Sequence, residues 1–102
     1  MKNKENYSDE TLQNMSDLLK ILAHPIRIKL LLLLSKEPNT VSELLKILDV
    51  RQPNLSQHLT LLKRVKILKT KRDGKSVYYY IAYPEIQDII NKVKELSEKI
   101  AK

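Results

Sequence analysis

Residues 41–65 read VSELLKILDVRQPNLSQHLTLLKRV, and this stretch predicts a short helix, a tight turn and a longer helix. In the longer helix Leu55, Leu59 and Leu62 recur at positions i, i+4 and i+7, which places them on one apolar side. Pro53 falls within its first turn, where a helix needs no backbone N–H donor. Two helices joined at this spacing are typical of a helix-turn-helix motif, in which the second helix enters the major groove of DNA.

The polar side of this second helix carries mainly amide and hydroxyl side chains. Such groups donate and accept hydrogen bonds, which is the chemistry that distinguishes base edges in the major groove. The sequence therefore predicts a recognition helix that contacts DNA through Arg51, Gln52, Asn54, Ser56, Gln57, His58 and Thr60.

The chain is basic, and its positive charge is concentrated in one segment. The formal net charge of the 102 residues is +7. Residues 51–75 hold eight basic residues and a single acid, Asp73, so the remainder of the chain is balanced. A basic segment that follows a helix-turn-helix favours contact with DNA phosphates. A merely solvated surface is the alternative, but it does not explain why balancing acids are missing.

Beyond residue 65 the pattern changes from helical to strand-like. Residues 67–72 and 75–81 are rich in β-prone side chains and flank Asp73-Gly74, a dipeptide that favours a two-stranded hairpin. Gly74 is the only glycine of the chain and stands where the turn needs a positive φ. We expect this hairpin to be a wing that touches the DNA backbone or minor groove through Lys69, Lys71, Arg72, Gly74 and Lys75.

Apolar spacing predicts three further helices. The first begins at about Asp9, the second covers residues 26–35, and the last begins at Pro84. Thr40 and Glu43 match a capping box at the start of the helix that precedes the turn. The expected fold is mainly α with a small β-hairpin, a winged helix-turn-helix in the order α-α-α-α-β-β-α.

We expect one DNA-binding domain over residues 1–102, with a disordered polar tail at residues 1–8. The first and last helices each carry an apolar stripe that so small a domain has little core to cover, which favours a homodimer interface. Packing onto the domain's own core is the alternative for the same side chains. The predicted interface consists of Leu12, Met15, Leu19, Ile86, Ile89, Ile90, Val93 and Leu96.

Composition excludes several classes of function. The chain has no cysteine, which rules out thiolate metal sites and thiol redox switches within it. No apolar run approaches the ~20 residues of a membrane span, and the polar N-terminus has no apolar signal segment, so we expect a soluble cytoplasmic protein. Neither a glycine-rich phosphate loop nor a cluster of metal ligands is present, so we expect no enzyme and no bound cofactor.

Three segments together resemble the ArsR/SmtB family of winged-helix repressors. They are LKILAHPIR at residues 19–27, QPNLSQHL at residues 52–59 and RDGKSVYY at residues 72–79, and the likeness covers roughly residues 16–96. The resemblance implies a homodimer that binds double-stranded DNA at an inverted repeat in its operator and blocks transcription until a signal releases it. The base readers that it implies are Gln52, Ser56 and Gln57.

Two positions depart from the family's pattern in ways that affect local geometry. The N-cap of the recognition helix, often serine in the family, is Arg51, and the glycine usual between this helix and the wing is Lys66. Arg51 would exchange a helix cap worth ~1 kcal/mol for a phosphate contact. If the family's turn is kept, Lys66 must adopt a backbone conformation that glycine adopts more easily.

The positions that bind metal in the family's sensors lack metal ligands in this chain. The third helix has no cysteine, and the residues at the site on the last helix are about Tyr83, Glu85, Leu96 and Lys99. These side chains do not make a zinc site. For His24 and His58, which stand on different helices, we expect partly buried hydrogen bonding or DNA contact. The chain thus resembles the branch of the family without metal sensing.

The sequence leaves a second function open. A low-specificity architectural protein would bind nucleic acid with the same basic surface, although the amide-rich helix favours sequence reading. The inducer is also open: a small organic ligand, a metal bound through oxygen ligands and no ligand at all fit the sequence equally.

Overall fold

The computed structural model describes residues 7–102, which form five α-helices and one antiparallel two-stranded hairpin. Their order confirms the predicted α-α-α-α-β-β-α arrangement. The helices are α1 Asp9–Leu22, α2 Pro25–Leu34, α3 Val41–Ile47, α4 Gln52–Arg64 and α5 Pro84–Ile100, and the strands are β1 Leu68–Asp73 and β2 Ser76–Ile81.

Side-chain hydrogen bonds determine where α1 and α3 begin. Glu43 N donates to Thr40 Oγ1 at 3.1 Å and Thr40 N donates to Glu43 Oε1 at 2.9 Å, which is the predicted capping box. Ser8 caps α1, because its Oγ accepts from Thr11 N at 3.1 Å. Ser8 of the predicted tail thus takes part in the start of α1, and residues 1–6 of that tail lie outside the described residues.

A cluster of buried leucine and isoleucine side chains forms the centre of the fold. From α2, which is apolar on nearly every side, come Leu30, Leu31 and Leu34. The predicted stripe of α4 contributes Leu55, Leu59 and Leu62. The other elements add Leu22, Leu44, Leu48, Ile67, Leu68, Ile86 and Ile90. The helix α4 is thus held by its apolar side, which leaves the opposite side open.

Only the first half of α5 packs on this core. Ile86 and Ile90 are 7% and 3% exposed within the single chain, so for these two predicted interface residues the alternative, packing onto the domain's own core, applies. Gln87 Nε2 donates to the carbonyl oxygen of Ser35 at 2.8 Å and ties this half of α5 to the end of α2. Residues 91–100 are all exposed. The chain's own core therefore covers one part of the apolar stripe and leaves the other part bare.

The hairpin turn lies one residue later than predicted. Its two central residues are Gly74 and Lys75, because Asp73 and Ser76 still pair at the end of the ladder. Gly74 has a φ of +64° and Lys75 has no positive φ, a pattern typical of a type II′ turn with glycine first. A Cβ added at Gly74 would meet no atom within 4 Å, so glycine is needed for its conformation and not for space.

The base of the hairpin is tied to the rest of the fold at two places. Asn39, between α2 and α3, forms two backbone hydrogen bonds with Tyr79 of β2, with N–O distances of 3.1 and 2.8 Å. Ala82 N donates to the carbonyl oxygen of Ile67 at 2.9 Å. The wing therefore starts from an anchored base.

Lys66 ends α4 in a left-handed backbone conformation, with a φ of +69°. The prediction that it adopts a conformation usual for glycine is confirmed. Ile67 N donates to Leu62 O at 2.9 Å and Lys66 N to Lys63 O at 3.0 Å, which together form a Schellman motif. A residue with a Cβ costs about 1–2 kcal/mol in this conformation.

Lys66→Gly should stabilise the fold. The variant removes the steric strain but gives the unfolded chain more freedom, so we expect a gain of about 0.5–1 kcal/mol in the free energy of unfolding. Lys66→Ala is the matched control, because it removes the same charge and keeps a Cβ. Urea unfolding at one protein concentration measures the difference. Equal stability of the two variants would contradict the strain assigned to Lys66.

Candidate nucleic-acid interface

The side of α4 opposite the buried leucines is open to solvent. Gln57, Thr60 and Arg64 follow one another at i, i+3 and i+7 on this side, and all three are exposed. Gln57 and Thr60 are predicted contacts, whereas Arg64 is not among them. Its spacing from Gln57 is the signal that would have identified it.

The other predicted contacts of the recognition helix lie on its two flanks. Gln52 and Ser56, one turn apart, share one flank, and Asn54 shares the other with His58. Arg51 is exposed at the start of the helix and forms no side-chain cap. Hydrogen-bonding side chains therefore extend around the outer half of α4.

His58 is half-buried, as Ser56 is, and it is held against α2. Arg27 donates from Nε to His58 Nδ1 at 3.2 Å and from Nη1 to the carbonyl oxygen of Ile21 at 3.0 Å. The ring centroid of His24 lies 4.6 Å from that of His58, and His24 Nδ1 accepts from Ile26 N at 3.2 Å. Both histidines thus form partly buried hydrogen bonds, which is one of the two roles expected for them, and the DNA contact of His58 stays a prediction.

The surroundings of His58 favour its neutral form. Burial, the His24 ring and the Arg27 guanidinium lower the pKa of His58 below its ordinary value. A neutral imidazole keeps one unprotonated nitrogen, which is what the hydrogen bond from Arg27 requires.

A surface cleft of about 480 Å³ lies between α2 and the outer side of α4. Arg27 and Arg64 line it beside the hydroxyl groups of Ser56 and Thr60, and none of its described lining residues is acidic. Two guanidinium groups next to hydroxyl donors suit a phosphate oxygen. Sequence patterns give no sign of Arg27 at this surface, because its position depends on how α2 packs beside α4.

The basic side chains of the wing lie on two faces and at the tip. Because alternate residues of a strand face opposite sides, Lys69 and Lys71 share one face of β1 and Arg72 lies on the other. Gly74 and Lys75 form the tip, and all five residues are exposed. A DNA strand that runs along one face of the hairpin would therefore contact only some of the five predicted wing residues.

Within the described residues, the basic side chains of residues 51–75 form no salt bridge with an acidic side chain. The two salt bridges found among the described residues, Lys92–Glu95 at 3.4 Å and Lys94–Glu98 at 3.1 Å, both lie within α5. A second cleft of about 540 Å³ at the base of the wing is lined by Lys63, Lys66, Leu68, Lys69, Thr70 and Tyr83. These cations are available to phosphate oxygens.

Across residues 7–102, no group of three or more His, Cys, Asp or Glu side chains is placed to hold a metal ion. His24 and His58 come together, but the third member of their cluster is Arg27, which is no metal ligand. Over the same range, no helix combines the length and the apolar character needed to cross a membrane.

Known proteins are similar to this chain in both sequence and fold. A family model described as a helix-turn-helix domain matches residues 22–71. The uncharacterized HTH-type transcriptional regulator Rv0081 of Mycobacterium tuberculosis is 34% identical over 86 residues, which cover 83% of this chain and 75% of that protein. The transcriptional repressor PagR of Bacillus anthracis is 38% identical over 78% of this chain and 81% of its own. The HTH-type repressor SmtB of M. tuberculosis is 37% identical over 79% of this chain and 60% of its own. The chain belongs to the ArsR/SmtB family.

Solved structures of such regulators match most of the chain. The crystal structure of Rv0081 matches with a TM-score of 0.83 and 32% identity, covering 92% of this chain and 95% of that one. The crystal structure of PagR matches with a TM-score of 0.74 and 36% identity, covering 84% and 99%. The predicted family and the winged helix-turn-helix fold are therefore confirmed. As an ArsR/SmtB member the protein is a DNA-binding transcriptional regulator and not an enzyme.

Arg51→Ser should raise the stability of the fold and at the same time lower the affinity for DNA. Serine can cap the first turn, which should add about 1 kcal/mol to the free energy of unfolding and raise Tm by about 4–8 °C. Loss of the cation should weaken binding to all DNA and reduce the slope of log K against log salt by about one. Arg51→Ala is the control, since it loses the same charge and gains no cap. A serine variant no more stable than the alanine variant would refute the capping argument.

Proposed function

We propose that the protein is a homodimeric repressor that reads an inverted-repeat operator through the exposed side of α4. The observation that carries the proposal is the contrast between the two sides of this helix. Leu55, Leu59 and Leu62 are buried, whereas most of the polar residues face solvent. Amide groups pair with adenine edges through two hydrogen bonds, and hydroxyl groups contact several bases. The proposed base-contacting residues are Gln52, Asn54, Ser56, Gln57 and Thr60.

Basic residues around α4 would hold the DNA backbone and set its register. Arg51 lies at one end of α4 and Arg64 at the other, while Lys71, Arg72 and Lys75 extend from the wing. Contacts to phosphates carry no sequence information directly, but they orient the protein on the duplex. Because each neutralised phosphate releases counterions, binding should depend steeply on salt.

A second copy of the chain would cover the bare apolar residues of α1 and α5. Within the single chain α1 buries only Leu22 in the core. The exposed apolar residues of the two helices include Leu12, Met15, Leu18, Leu19, Ile89, Val93, Leu96 and Ile100. A two-fold axis through such an interface would present two recognition helices to one face of the duplex, which matches an inverted repeat.

Signal reception in this proposal uses neither thiol chemistry nor a bound cofactor. The chain has no cysteine, so no thiol switch operates within it. Amide, hydroxyl and cationic side chains supply every contact that the proposed DNA complex requires. We place the protein in the cytoplasm with its DNA partner.

Binding to selected and scrambled DNA tests the proposal. Sites are selected from a random-sequence pool, and fluorescence anisotropy compares the selected site with a scrambled duplex at about 50 and about 200 mM salt. We expect a palindromic site, a preference of at least ~10³ and a steep loss of affinity with salt. Equal affinity for both duplexes would support the architectural alternative. No binding to either duplex by folded protein would refute the proposed interface.

Two alanine variants distinguish base reading from phosphate contact. Gln57→Ala should cost about 1–3 kcal/mol on the selected site and little on scrambled DNA, because a base contact is lost. Lys71→Ala should weaken both complexes alike and flatten the salt slope by about one. If Gln57→Ala weakens both complexes equally, this residue does not read bases. If Lys71→Ala leaves the slope unchanged, the wing is not at the DNA.

Val93→Asp should convert the proposed dimer to a monomer. Val93 is 51% exposed in the single chain, so the core should tolerate the change. In the dimer the carboxylate would be buried without a partner, which costs several kcal/mol. Sedimentation equilibrium should show a dimer dissociation constant raised by at least about a hundredfold. Ile47→Asp on α3, at an equally exposed apolar residue (51%), is the control and should remain dimeric. A wild-type monomer at protein concentrations of tens of micromolar would contradict the dimer.

A further inference from the structure

Arg27 joins three helices through two hydrogen bonds. From its place in α2 it donates to the carbonyl oxygen of Ile21 in α1 at 3.0 Å and to Nδ1 of His58 in α4 at 3.2 Å. Within residues 7–102, the bond to His58 is the one side-chain hydrogen bond that connects α4 with another helix.

This hydrogen bond supplies a directional constraint that apolar packing does not. Burial of the leucine stripe determines which side of α4 faces the core, but hydrophobic contacts have no preferred direction. His58 is adjacent in sequence to Gln57, and both residues line the cleft that Arg27 shares with α4. A small rotation of α4 that displaces His58 would therefore displace Gln57, and recognition tolerates errors of only about 0.5 Å.

The contact exists in one protonation state of His58 only. A guanidinium N–H donates and never accepts, so His58 Nδ1 must be the acceptor and must carry no proton. Protonation converts Nδ1 into a donor and places an imidazolium beside the guanidinium, since the two nitrogen atoms are 3.2 Å apart. Acid therefore removes the hydrogen bond and replaces it with repulsion.

The groups around His58 oppose its protonation. His24 faces it from the junction of α1 and α2, Arg27 faces it from α2, and Arg64 lines the same cleft from α4. The remaining residues of the cleft are uncharged: Ser56, Gln57, Thr60 and Leu61. Burial, His24 and Arg27 hold the pKa of His58 below its usual value of about 6.5. The neutral form, and with it the contact to Arg27, therefore prevails at neutral pH.

We propose that Arg27 is a positioning residue for base reading: it orients the recognition helix through neutral His58, and protonation of His58 releases this contact and lowers selectivity among DNA sequences. The inference rests on the proposed DNA-binding function and adds to it a positioning residue and a dependence on pH. Attraction to phosphates does not use this contact. Affinity for scrambled DNA should therefore stay constant or rise in acid, since the protein gains positive charge.

The specificity ratio, defined as the Kd for scrambled DNA divided by the Kd for the selected site, is the quantity to measure. It is determined at constant ionic strength from about pH 8 to about pH 5, while NMR of the full chain follows the titration of His58. We expect the wild-type ratio to fall about tenfold (~1.4 kcal/mol) with the same midpoint as the His58 titration. A ratio that stays constant, or a His58 that does not titrate in this range, would overturn the inference.

Two asparagine variants identify the titrating group. His58→Asn offers an amide oxygen to Arg27 in place of Nδ1 and does not titrate, so its ratio should be high and independent of pH. His24→Asn is the matched control, because asparagine is a favoured N-cap and can accept from Ile26 N as His24 does at 3.2 Å. Its specificity ratio should still fall in acid, with the midpoint at a higher pH than in the wild type, because the His24 ring no longer lowers the pKa of His58. A response that persists in His58→Asn, or disappears in His24→Asn, would overturn the assignment to His58.

Arg27→Lys tests the positioning role at constant charge. Lysine lacks the planar fork that lets Arg27 reach Ile21 and His58 together. At neutral pH the specificity ratio should fall about tenfold while the salt slope stays the same. An unchanged ratio would overturn the role of Arg27. Thermal melts monitored by circular dichroism establish that each variant is folded before its DNA binding is compared.

A measurement without DNA supports the same assignment. Because the folded state lowers the pKa of His58, unfolding takes up a proton, and the free energy of unfolding should decline as the pH falls below about 6.5. His58→Asn should show a smaller decline, and an equal decline would overturn the inference. A wild type that prefers its selected site but shows no pH dependence refutes this inference alone. A wild type without any sequence preference refutes the proposed function, and the inference falls with it.

Discussion

Burial of Leu55, Leu59 and Leu62 beneath α4 is the interaction on which the rest of the structure depends. None of the three is more than 1% exposed. At about 1.5–3 kcal/mol for each buried leucine, their contribution is comparable with the net stability of a small domain. Because one side anchors α4 so completely, the opposite side contributes little to folding. Its residues are therefore free to serve the proposed hydrogen bonding with bases, and one 13-residue helix is both a core element and the proposed DNA-contacting surface.

The sequence predicted correctly those features that depend on residues close together along the chain. The capping box of Thr40 and Glu43 and the leucine period of α4 involve residues a few positions apart, and the structure has both. The hairpin was also predicted, although its turn is shifted to Gly74 and Lys75. The dipeptides Asp-Gly and Gly-Lys both suit a two-residue turn, so only the pairing of the strands distinguishes them.

The features that the sequence did not predict depend on how the helices pack against one another. Arg27 and His58 are 31 positions apart, and their contact depends on how α2 lies beside α4. On α5, Ile86, Ile90 and Val93 belong to one continuous apolar stripe, yet the first two are buried and the third is exposed. The point at which α5 leaves the core is determined by its crossing over α2, and the periodicity of α5 contains no information about that crossing.

The position of α2 gives a physical link between the two proposed interfaces. At its C-terminal end the carbonyl oxygen of Ser35 accepts from Gln87 of α5, and near its N-terminal end Arg27 donates to Ile21 of α1 and His58 of α4. The helices α1 and α5 carry the proposed dimer surface, whereas α4 carries the proposed DNA surface. Because close-packed interiors resist deformation, a shift of α5 against its partner would move α2 as a rigid body rather than compress its leucines. The geometry of the proposed dimer and the orientation of α4 would therefore be coupled through α2, which contacts the elements that carry both proposed surfaces.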